Sequence, residues 1–192
     1  DGCDGCCVES GFVCRSTGCV TSSCGYSMVE LGESCDDGNT VTGDGCNFCA
    51  DEITAAGAAA LSFTGSIDVT DPQWDRRSGC SSFGGTANHF YDEHYITNSG
   101  TTSVDVDILV DWAPGEDGYI HVLDATTFVP SDPFVGCVSS NDDYVPGSAA
   151  QSGIDGLTIP AGAEYVIITS TFFASDAIGA YTMTVTTPAP PP

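Results

Sequence analysis

The chain has 192 residues, of which 41% are hydrophobic, and its 27 acidic residues against three basic ones give a formal net charge of −24. The three cations are Arg15, Arg76 and Arg77, and lysine is absent. This composition excludes nucleic acid and anionic membrane surfaces as partners, because both are bound through cationic side chains. Most of the acidic residues are expected to form a solvated surface, and some are expected to hold divalent cations.

Eleven cysteines in a chain of this length indicate secretion into an oxidising compartment, where disulfide bonds persist. Nine of the eleven precede residue 50, so cysteine content alone divides the chain into two regions. Zinc is the alternative, because Cys3, Cys6, Cys46 and Cys49 form two pairs with zinc-like spacing. Disulfide bonds are favoured, because no histidine precedes His89.

An odd number of cysteines leaves one thiol for a cysteine outside this chain or for a second subunit, and both outcomes predict assembly. The sequence contains no signal peptide and no transmembrane run, and it begins at Asp1. We therefore expect a processed product, or a segment of a longer protein, without membrane insertion.

Residues 1–23 carry five cysteines and no helical or strand periodicity, which predicts a small disulfide knot. The order of the cysteines does not define their connectivity, but adjacent Cys6 and Cys7 are expected to have different partners. Residues 24–50 follow with too few apolar side chains to offset the entropy of ordering the chain. Disulfide bonds or bound ions must therefore hold this second region together.

Oxygen-bearing side chains are concentrated within residues 24–50. Asp36, Asp37, Asn39 and Asp44 offer hard oxygen ligands of the kind that Ca²⁺ prefers, and turn carbonyls could complete the shell. The alternative is that these residues only favour tight turns. The spacing is not that of an EF-hand. Because no cationic residue lies near the acids in the sequence, we predict a calcium site.

The segment from Cys24 to Cys49 reads CGYSMVELGESCDDGNTVTGDGCNFC. In its cysteine spacing and in the residue types between the cysteines, it resembles the cysteine-rich repeat of secreted myxobacterial proteins, a distant relative of Notch-type repeats. The resemblance implies an extracellular module that holds calcium and acts as a spacer or in recognition, without catalysis. It also implies that Cys24, Cys35, Cys46 and Cys49 form disulfide bonds.

Residues 51–60 are small and are predicted to be a linker. From Leu61 the sequence alternates between apolar and polar residues, as in Leu61, Phe63, Gly65, Ile67 and Val69, which is typical of half-buried strands. About eight such strands, separated by turns, reach residue 187 and predict an antiparallel all-β sandwich. Residues 188–192 form a proline-rich tail, expected to be either a stiff spacer or an arm that docks on a neighbouring subunit.

Several short motifs follow one another along residues 61–187. They are Asp71-Pro72-x-Trp74-x-Arg76, Gly79-Cys80-Ser81, Tyr91-Asp92, Gly118-Tyr119-Ile120, Phe128-x-Pro130-x-Asp132-Pro133, Asn141-Asp142-Asp143, Ala161-Gly162-x2-Tyr165-Val166 and Gly179-x-Tyr181-Thr182-x-Thr184-Val185. In this order they resemble the bacterial pre-peptidase C-terminal domains. The resemblance implies a jelly-roll-like β-sandwich without catalysis, found in surface proteins and beside secreted proteases. Cys80 and Cys137 are the two cysteines of this region, and we predict that they are bonded.

Further acidic residues occur within the predicted sandwich. Asp142 and Asp143 lie in a predicted loop and are additional calcium candidates. Asp105, Asp107 and Asp111 share one face of a predicted strand, where like charges repel unless solvent, an ion or a partner compensates them. We predict that these three are solvated surface residues.

No catalytic motif is evident, and the chain is predicted not to be an enzyme. His89, Glu93 and His94 do not form a zinc-protease motif, because such motifs place two histidines four residues apart on a helix. Here the separation is five, which on a strand places the two histidines on opposite faces. Five aromatic residues either form a glycan-binding platform or fill the core: Trp74, Phe90, Tyr91, Tyr95 and Trp112.

Taken together, these features predict a secreted bacterial structural protein that self-associates into an extracellular fibre or surface assembly, stabilised by disulfide bonds and calcium. The alternatives are an adhesin or carbohydrate-binding module of a larger surface protein, and a non-catalytic accessory region of a secreted hydrolase.

Overall fold

The computed structural model describes residues 3–4, 7–8, 12–15, 18–21, 46–47, 50–53, 60–80, 86–129 and 135–187. The chain divides into two compact units, Asp1–Glu52 and Ile53–Pro192. The division falls within residues 51–60, the segment that the sequence predicts to be a linker. At its two ends this segment has regular structure, because residues 51–52 belong to one strand and Ala60 begins another.

The first unit contains short antiparallel hairpins. Its strands are β1 (Cys3–Asp4), β2 (Cys7–Val8), β3 (Phe12–Arg15), β4 (Gly18–Thr21), β5 (Cys46–Asn47) and β6 (Ala50–Glu52), and β1 pairs with β2, β3 with β4 and β5 with β6. Residues 1–23 thus contain short strands although their sequence shows no strand periodicity. Two- to four-residue strands are too short for a periodic hydrophobic pattern to reveal them.

The predicted calcium ligands and cysteines of the first unit mostly lie outside the described residues. This holds for Cys24, Cys35, Asp36, Asp37, Asn39, Asp44 and Cys49, and for the side chain of Cys46, whose backbone is part of β5. The predicted disulfide bonds and calcium site of residues 24–50 therefore remain predictions.

The second unit is a jelly-roll β-sandwich. Its strands are β7 (Ala60–Ile67), β8 (Gln73–Arg76), β9 (Thr86–Thr97), β10 (Val104–Trp112), β11 (Gly118–Asp124), β12 (Cys137–Asn141), β13 (Gln151–Ile159), β14 (Glu164–Thr171) and β15 (Gly179–Thr186). One sheet has the order β13-β10-β15-β7, and the other has the order β12-β11-β14-β9 with β8 paired to β9. All pairings are antiparallel. If β8 is left aside, each strand is followed by a strand of the other sheet, with one exception: β11 and β12 belong to the same sheet. This is the jelly-roll connectivity.

The prediction of an all-β fold with an antiparallel, jelly-roll-like sandwich is confirmed. No helix occurs in the part of the chain that the structure describes, and hence no described segment is a helix long and apolar enough to cross a membrane.

Alternating side chains of the strands build the core between the two sheets, as the sequence pattern predicts. On β10, Val104, Val106, Ile108 and Val110 are all buried. Val69 departs from its predicted strand and is 68% exposed. The chain turns after Ile67, because the side chains of Asp68 and Asp71 accept backbone hydrogen bonds within residues 68–71.

The acidic residues on the outer face of β10 accept hydrogen bonds from the neighbouring strand β13. Asp105 accepts one of 2.6 Å from the Thr158 hydroxyl, and Asp107 accepts one of 2.7 Å from the backbone nitrogen of Gly156. Asp111 accepts one of 2.5 Å from Gln151. These acids are therefore surface residues, as predicted, whose like charges are offset by cross-strand donors as well as by solvent.

A second, smaller apolar cluster lies on the outer face of the sheet that contains β14. On β14, Tyr165 and Ile167 face the core, whereas the alternate residues Val166 and Ile168 belong to the second cluster. Its members, here called the outer cluster, are Trp74, Tyr91, Leu123, Val166 and Ile168. Strand β8 supplies Trp74 to this face, so that β11 and β14 are buried on both sides.

Candidate cation site beside a buried arginine

Three aspartate side chains lie together where β11 begins and β12 ends. Asp117 directly precedes β11, and Asp142 and Asp143 directly follow β12. Because the two strands are antiparallel neighbours, with Ile120 opposite Asn141, the start of one lies beside the end of the other. One carboxylate oxygen from each aspartate lies within 4.8 Å of the other two. Hard oxygen donors grouped in this way can hold a divalent cation such as Ca²⁺.

Two of the three carboxylates have a buried oxygen that lacks a hydrogen-bond donor. Oδ1 of Asp117 and Oδ1 of Asp142 have no partner, whereas Oδ2 of Asp143 accepts a hydrogen bond of 2.9 Å from the backbone nitrogen of Gly147. Burial, followed by the charges of Asp143 and Asp117, raises the pKa of Asp142 to about 6. Burial, followed by the charge of Asp143, also raises the pKa of Asp117. The cluster therefore carries negative charge that its own hydrogen bonds do not stabilise.

Arg76 is the cation beside this cluster. It is 7% exposed, and its Nη2 donates a hydrogen bond of 2.8 Å to the carbonyl oxygen of Phe172. Its guanidinium carbon lies 4.5 Å from the ring centroid of Tyr119 and 5.0 Å from that of Phe172. Nη1 has no hydrogen-bond partner. Burial raises the pKa of Asp117 and Asp142, and the charge of Arg76 opposes this rise without cancelling it. One guanidinium against three carboxylates leaves two negative charges in excess, which a divalent cation would balance.

The predicted disulfide bond between Cys80 and Cys137 is present, with a sequence separation of 57 residues. Cys80 follows Arg76 in the chain, and Cys137 begins β12, which leads directly into Asp142 and Asp143. The bond therefore fixes together the two segments that carry the buried cation and two of the three acids.

The two histidines of the segment 89–94 lie on opposite faces of β9, as predicted. Nδ1 of His89 lies 2.9 Å from the carbonyl oxygen of Thr171, on the side of Arg76. His94 instead points between the sheets, where its ring meets Phe63 at a centroid distance of 5.2 Å. The two rings cannot ligate one metal ion together.

A hydrogen-bonded network surrounds the Tyr181 hydroxyl within the core. The hydroxyl donates to Oδ2 of Asp92 at 2.7 Å, lies 2.6 Å from Nε2 of His94, and accepts from the Thr169 hydroxyl at 2.9 Å. Burial lowers the pKa of His94 to about 4 and, as the largest effect, raises the pKa of Asp92. The neutral imidazole and the hydroxyl groups satisfy one another, which is the requirement for polar groups in a core.

A second buried histidine lies under the outer cluster. Nε2 of His121 donates a hydrogen bond of 3.0 Å to the carbonyl oxygen of Arg77, so Nδ1 carries a lone pair, and this atom has no partner. The ring stacks on Tyr119 at 4.7 Å and meets Trp74 edge-on at 5.1 Å. Burial lowers the pKa of His121 to about 3, and the residue is therefore a neutral part of the packing.

The aromatic side chains considered for a glycan platform belong to the interior instead. Trp74, Phe90, Tyr91 and Trp112 are each at most 6% exposed, and Tyr95 is half-buried with its hydroxyl donating to Glu93 at 2.6 Å. Of the two alternatives drawn from the sequence, filling the core is the correct one for the four buried rings.

From the sequence, Asp142 and Asp143 are calcium candidates, and Arg76 and Arg77 are expected to contact acids, but Asp117 is not singled out. Asp117 stands between Glu116 and Gly118 in an ordinary turn sequence. Its proximity to Asp142 depends on β11 and β12 being neighbours, which local pattern does not reveal. The signal for Arg76 is the rarity of cations, because a chain with three arginines is expected to use them where charge must be compensated.

No family model matches the chain, and no curated protein matches it. Among solved structures, the chain is similar to the pre-peptidase C-terminal domain of a collagenase from Bacillus anthracis, with 11% identity and a TM-score of 0.44 over 71% of this chain and 93% of that one. It is also similar to PliG of Aeromonas hydrophila, a periplasmic inhibitor of g-type lysozyme, with 14% identity and a TM-score of 0.36 over 70% of this chain and 94% of that one. Values this low carry no statement about function.

Proposed function

We propose that this chain is a non-catalytic structural module of an extracellular protein, whose fold depends on disulfide bonds and bound calcium. The observation that carries the proposal is the Cys80–Cys137 bond, which joins the segment after Arg76 to the strand before Asp142. Such a bond persists in an oxidising compartment and would be reduced in the cytosol. Because nine of the eleven cysteines precede residue 50, we propose that disulfide bonds stabilise the first unit as well.

Calcium is the cofactor that the acidic cluster fits. Asp117, Asp142 and Asp143 supply oxygen ligands from two loops, which is the donor type that Ca²⁺ takes in shells of about six to eight oxygens. The buried oxygens without donors and the two excess charges beside Arg76 favour occupation by a divalent ion. Bound calcium would hold the β10–β11 and β12–β13 loops together and stabilise the folded state.

Calcium titration of the full chain by isothermal calorimetry tests this role. We expect two classes of site, one at the acidic cluster and one among Asp36, Asp37, Asn39 and Asp44. The double variant Asp142→Asn/Asp143→Asn should lose one class and keep the other, while the control Asp105→Asn, an exposed acid on β10, should keep both. At a concentration about 100-fold above the dissociation constant, each site should raise the free energy of unfolding by about 2.7 kcal/mol. No heat of binding, or no loss in the double variant, would contradict the proposal.

The finer part of the proposal is self-association into a fibre or surface layer. It is supported by the odd number of cysteines, which leaves one thiol for a bond between two copies. It is also supported by the acidic surface, because calcium or salt would screen the repulsion between two copies and allow them to approach. Electron microscopy of the full chain with calcium and without reductant should show ordered polymers. Discrete monomers under these conditions would contradict the fibre, and binding to a glycan array would favour the adhesin instead.

A further inference from the structure

We propose that Arg76 sets the affinity and the charge selectivity of the cation site formed by Asp117, Asp142 and Asp143. The inference rests on the calcium site proposed above and adds the residue that controls which ion the site takes and how tightly. A positive charge beside a cation site repels the bound ion, so the burial of one of only three cationic residues at this place requires a physical reason.

Arg76 is linked to the acidic cluster through two neighbouring residues. Its guanidinium carbon lies 4.5 Å from the ring centroid of Tyr119. Asp117 stands two residues before Tyr119, which in a strand is the spacing of side chains on one face. Nη2 of Arg76 donates to the carbonyl oxygen of Phe172 at 2.8 Å, and the backbone nitrogen of Phe172 donates to the carbonyl oxygen of Asp117 at 3.1 Å. The guanidinium is therefore held beside the segment that supplies one of the three carboxylates.

The charge of Arg76 acts on the acids from a fixed and buried position. The side chain is 7% exposed, and Nη1 is buried without a hydrogen-bond partner among the described residues. Burial raises the pKa of Asp117 and of Asp142, and the charge of Arg76 opposes the rise in both. Because solvent screens buried charges less than exposed ones, the same charge also acts on an ion bound between these carboxylates.

Charge balance determines the selectivity of the site. Three carboxylates and one guanidinium carry two negative charges in excess, so a divalent ion brings the group to neutrality, whereas a trivalent ion leaves a positive charge in excess. The Coulomb energy between Arg76 and the bound ion is proportional to the charge of the ion. Arg76 therefore disfavours a trivalent ion more strongly than a divalent one.

The same charge keeps the affinity for calcium low. In the absence of an ion, Arg76 offsets part of the repulsion among the three acids, and a bound ion replaces this contribution. We expect a dissociation constant of about 0.1–1 mM, the range of extracellular calcium modules. Such a site fills in a medium with millimolar calcium and releases the ion when calcium falls, while the sandwich stays folded.

A set of arginine variants separates charge from packing. Arg76→Met removes the charge and keeps an apolar stem, whereas Arg76→Lys keeps the charge and loses the planar group. Arg77→Met is the matched control, because it changes the net charge of the chain equally, one residue further along. If Arg76→Met does not fold, Arg76→Gln takes its place, since it retains an N–H donor for the carbonyl oxygen of Phe172.

Isothermal calorimetry of the full chain with calcium chloride, and separately with terbium chloride, measures the affinities. The relevant class of site is the one that Asp142→Asn/Asp143→Asn abolishes. We expect Arg76→Met to bind calcium about tenfold and terbium about thirtyfold more tightly than the unmodified chain, because the logarithms of the two gains scale with the ionic charges. Arg76→Lys should stay within about twofold of the unmodified chain, and Arg77→Met should change either affinity by less than about threefold.

The outcomes separate this inference from the calcium site itself. If the unmodified chain binds calcium at the cluster but Arg76→Met and Arg77→Met have equal affinities, the site stands and the role of Arg76 is overturned. Equal gains for calcium and terbium would overturn the charge selectivity in the same way. An unmodified chain that binds no calcium at the cluster would overturn both proposals.

Discussion

The ring of Tyr181 packs directly against Gly65 on the neighbouring strand β7, and its hydroxyl donates a hydrogen bond of 2.7 Å to Asp92 on the opposite sheet. A Cβ atom at Gly65 would overlap with the phenol ring and its hydroxyl. The absence of a side chain at this position thus creates the space in which a polar network can connect the two sheets.

Gly65→Ala should destabilise the sandwich, because the added methyl group displaces Tyr181 from Asp92. Overpacking of a filled core typically costs about 1–3 kcal/mol. Urea denaturation followed by tryptophan fluorescence measures this loss. Ser66→Ala is the control, because Ser66 is exposed on the other face of the same strand and its variant should change the free energy of unfolding by less than about 0.5 kcal/mol. Equal stability of the two variants would show that Tyr181 is not confined by Gly65.

Tyr181→Phe should leave Asp92, His94 and Thr169 without their shared partner. A buried polar group that loses its hydrogen bond costs about 1–3 kcal/mol, so we expect a loss of that size in the free energy of unfolding. Tyr144→Phe removes a hydroxyl that donates to Asp155 at the surface, where Tyr144 is 39% exposed, and should have little effect. The network would have no structural importance if the two variants unfolded at the same urea concentration.

His94 should make the protein less stable in mild acid. Burial lowers its folded-state pKa to about 4, whereas in the unfolded chain the imidazole binds a proton near its ordinary pKa of 6.5. The unfolded state therefore takes up more protons as pH falls from 6.5 towards 4, and the folded state loses about 2 kcal/mol between pH 7 and pH 5 from this residue. Burial raises the pKa of Asp92, so Asp92 stabilises the folded state as pH falls, opposite to His94. This contribution is present in every variant that retains Asp92.

The variant His94→Gln isolates this contribution. The difference in unfolding free energy between pH 7 and pH 5 should be smaller by about 2 kcal/mol in the variant than in the unmodified chain. An identical pH dependence in both proteins would mean that folding does not lower the pKa of His94.

The double variant Cys80→Ser/Cys137→Ser should unfold at lower urea concentration. In the chain-entropy model, opening a loop with a sequence separation of 57 residues costs about 4 kcal/mol of stability. The variant should also bind calcium at the acidic cluster less tightly, because Arg76 and Asp142 are no longer fixed relative to each other. Unchanged stability would indicate that strand pairing alone positions these segments.

The sequence predicted the sandwich well because half-buried strands have a strong two-residue period. Val104 to Val110 on β10 were placed correctly for this reason, and Cys80 and Cys137 were paired because no other cysteine was available in their region. Strands β11 and β14 are buried on both faces, because a second apolar cluster covers the face that does not meet the core. In these two strands the sequence pattern therefore does not indicate which face meets the core.

The candidate site was predicted only in part, because it depends on contacts between distant segments. Asp142 and Asp143 were recognised from local composition, but Asp117 joins them through the pairing of β11 with β12. The burial of Arg76 over Tyr119 and Phe172 depends on β8 packing on the outer face of the sheet. Neither relationship has a signature in the sequence near these residues.

The most direct test of the account is the number of free thiols in the protein isolated from its native source. Alkylation without reduction, followed by intact mass measurement, counts them. If the chain is an extracellular, disulfide-stabilised module, at most one of the eleven cysteines should react, and all eleven should react after unfolding and reduction. Most of the cysteines reacting before reduction would contradict the account, because such a chain would belong to a reducing compartment.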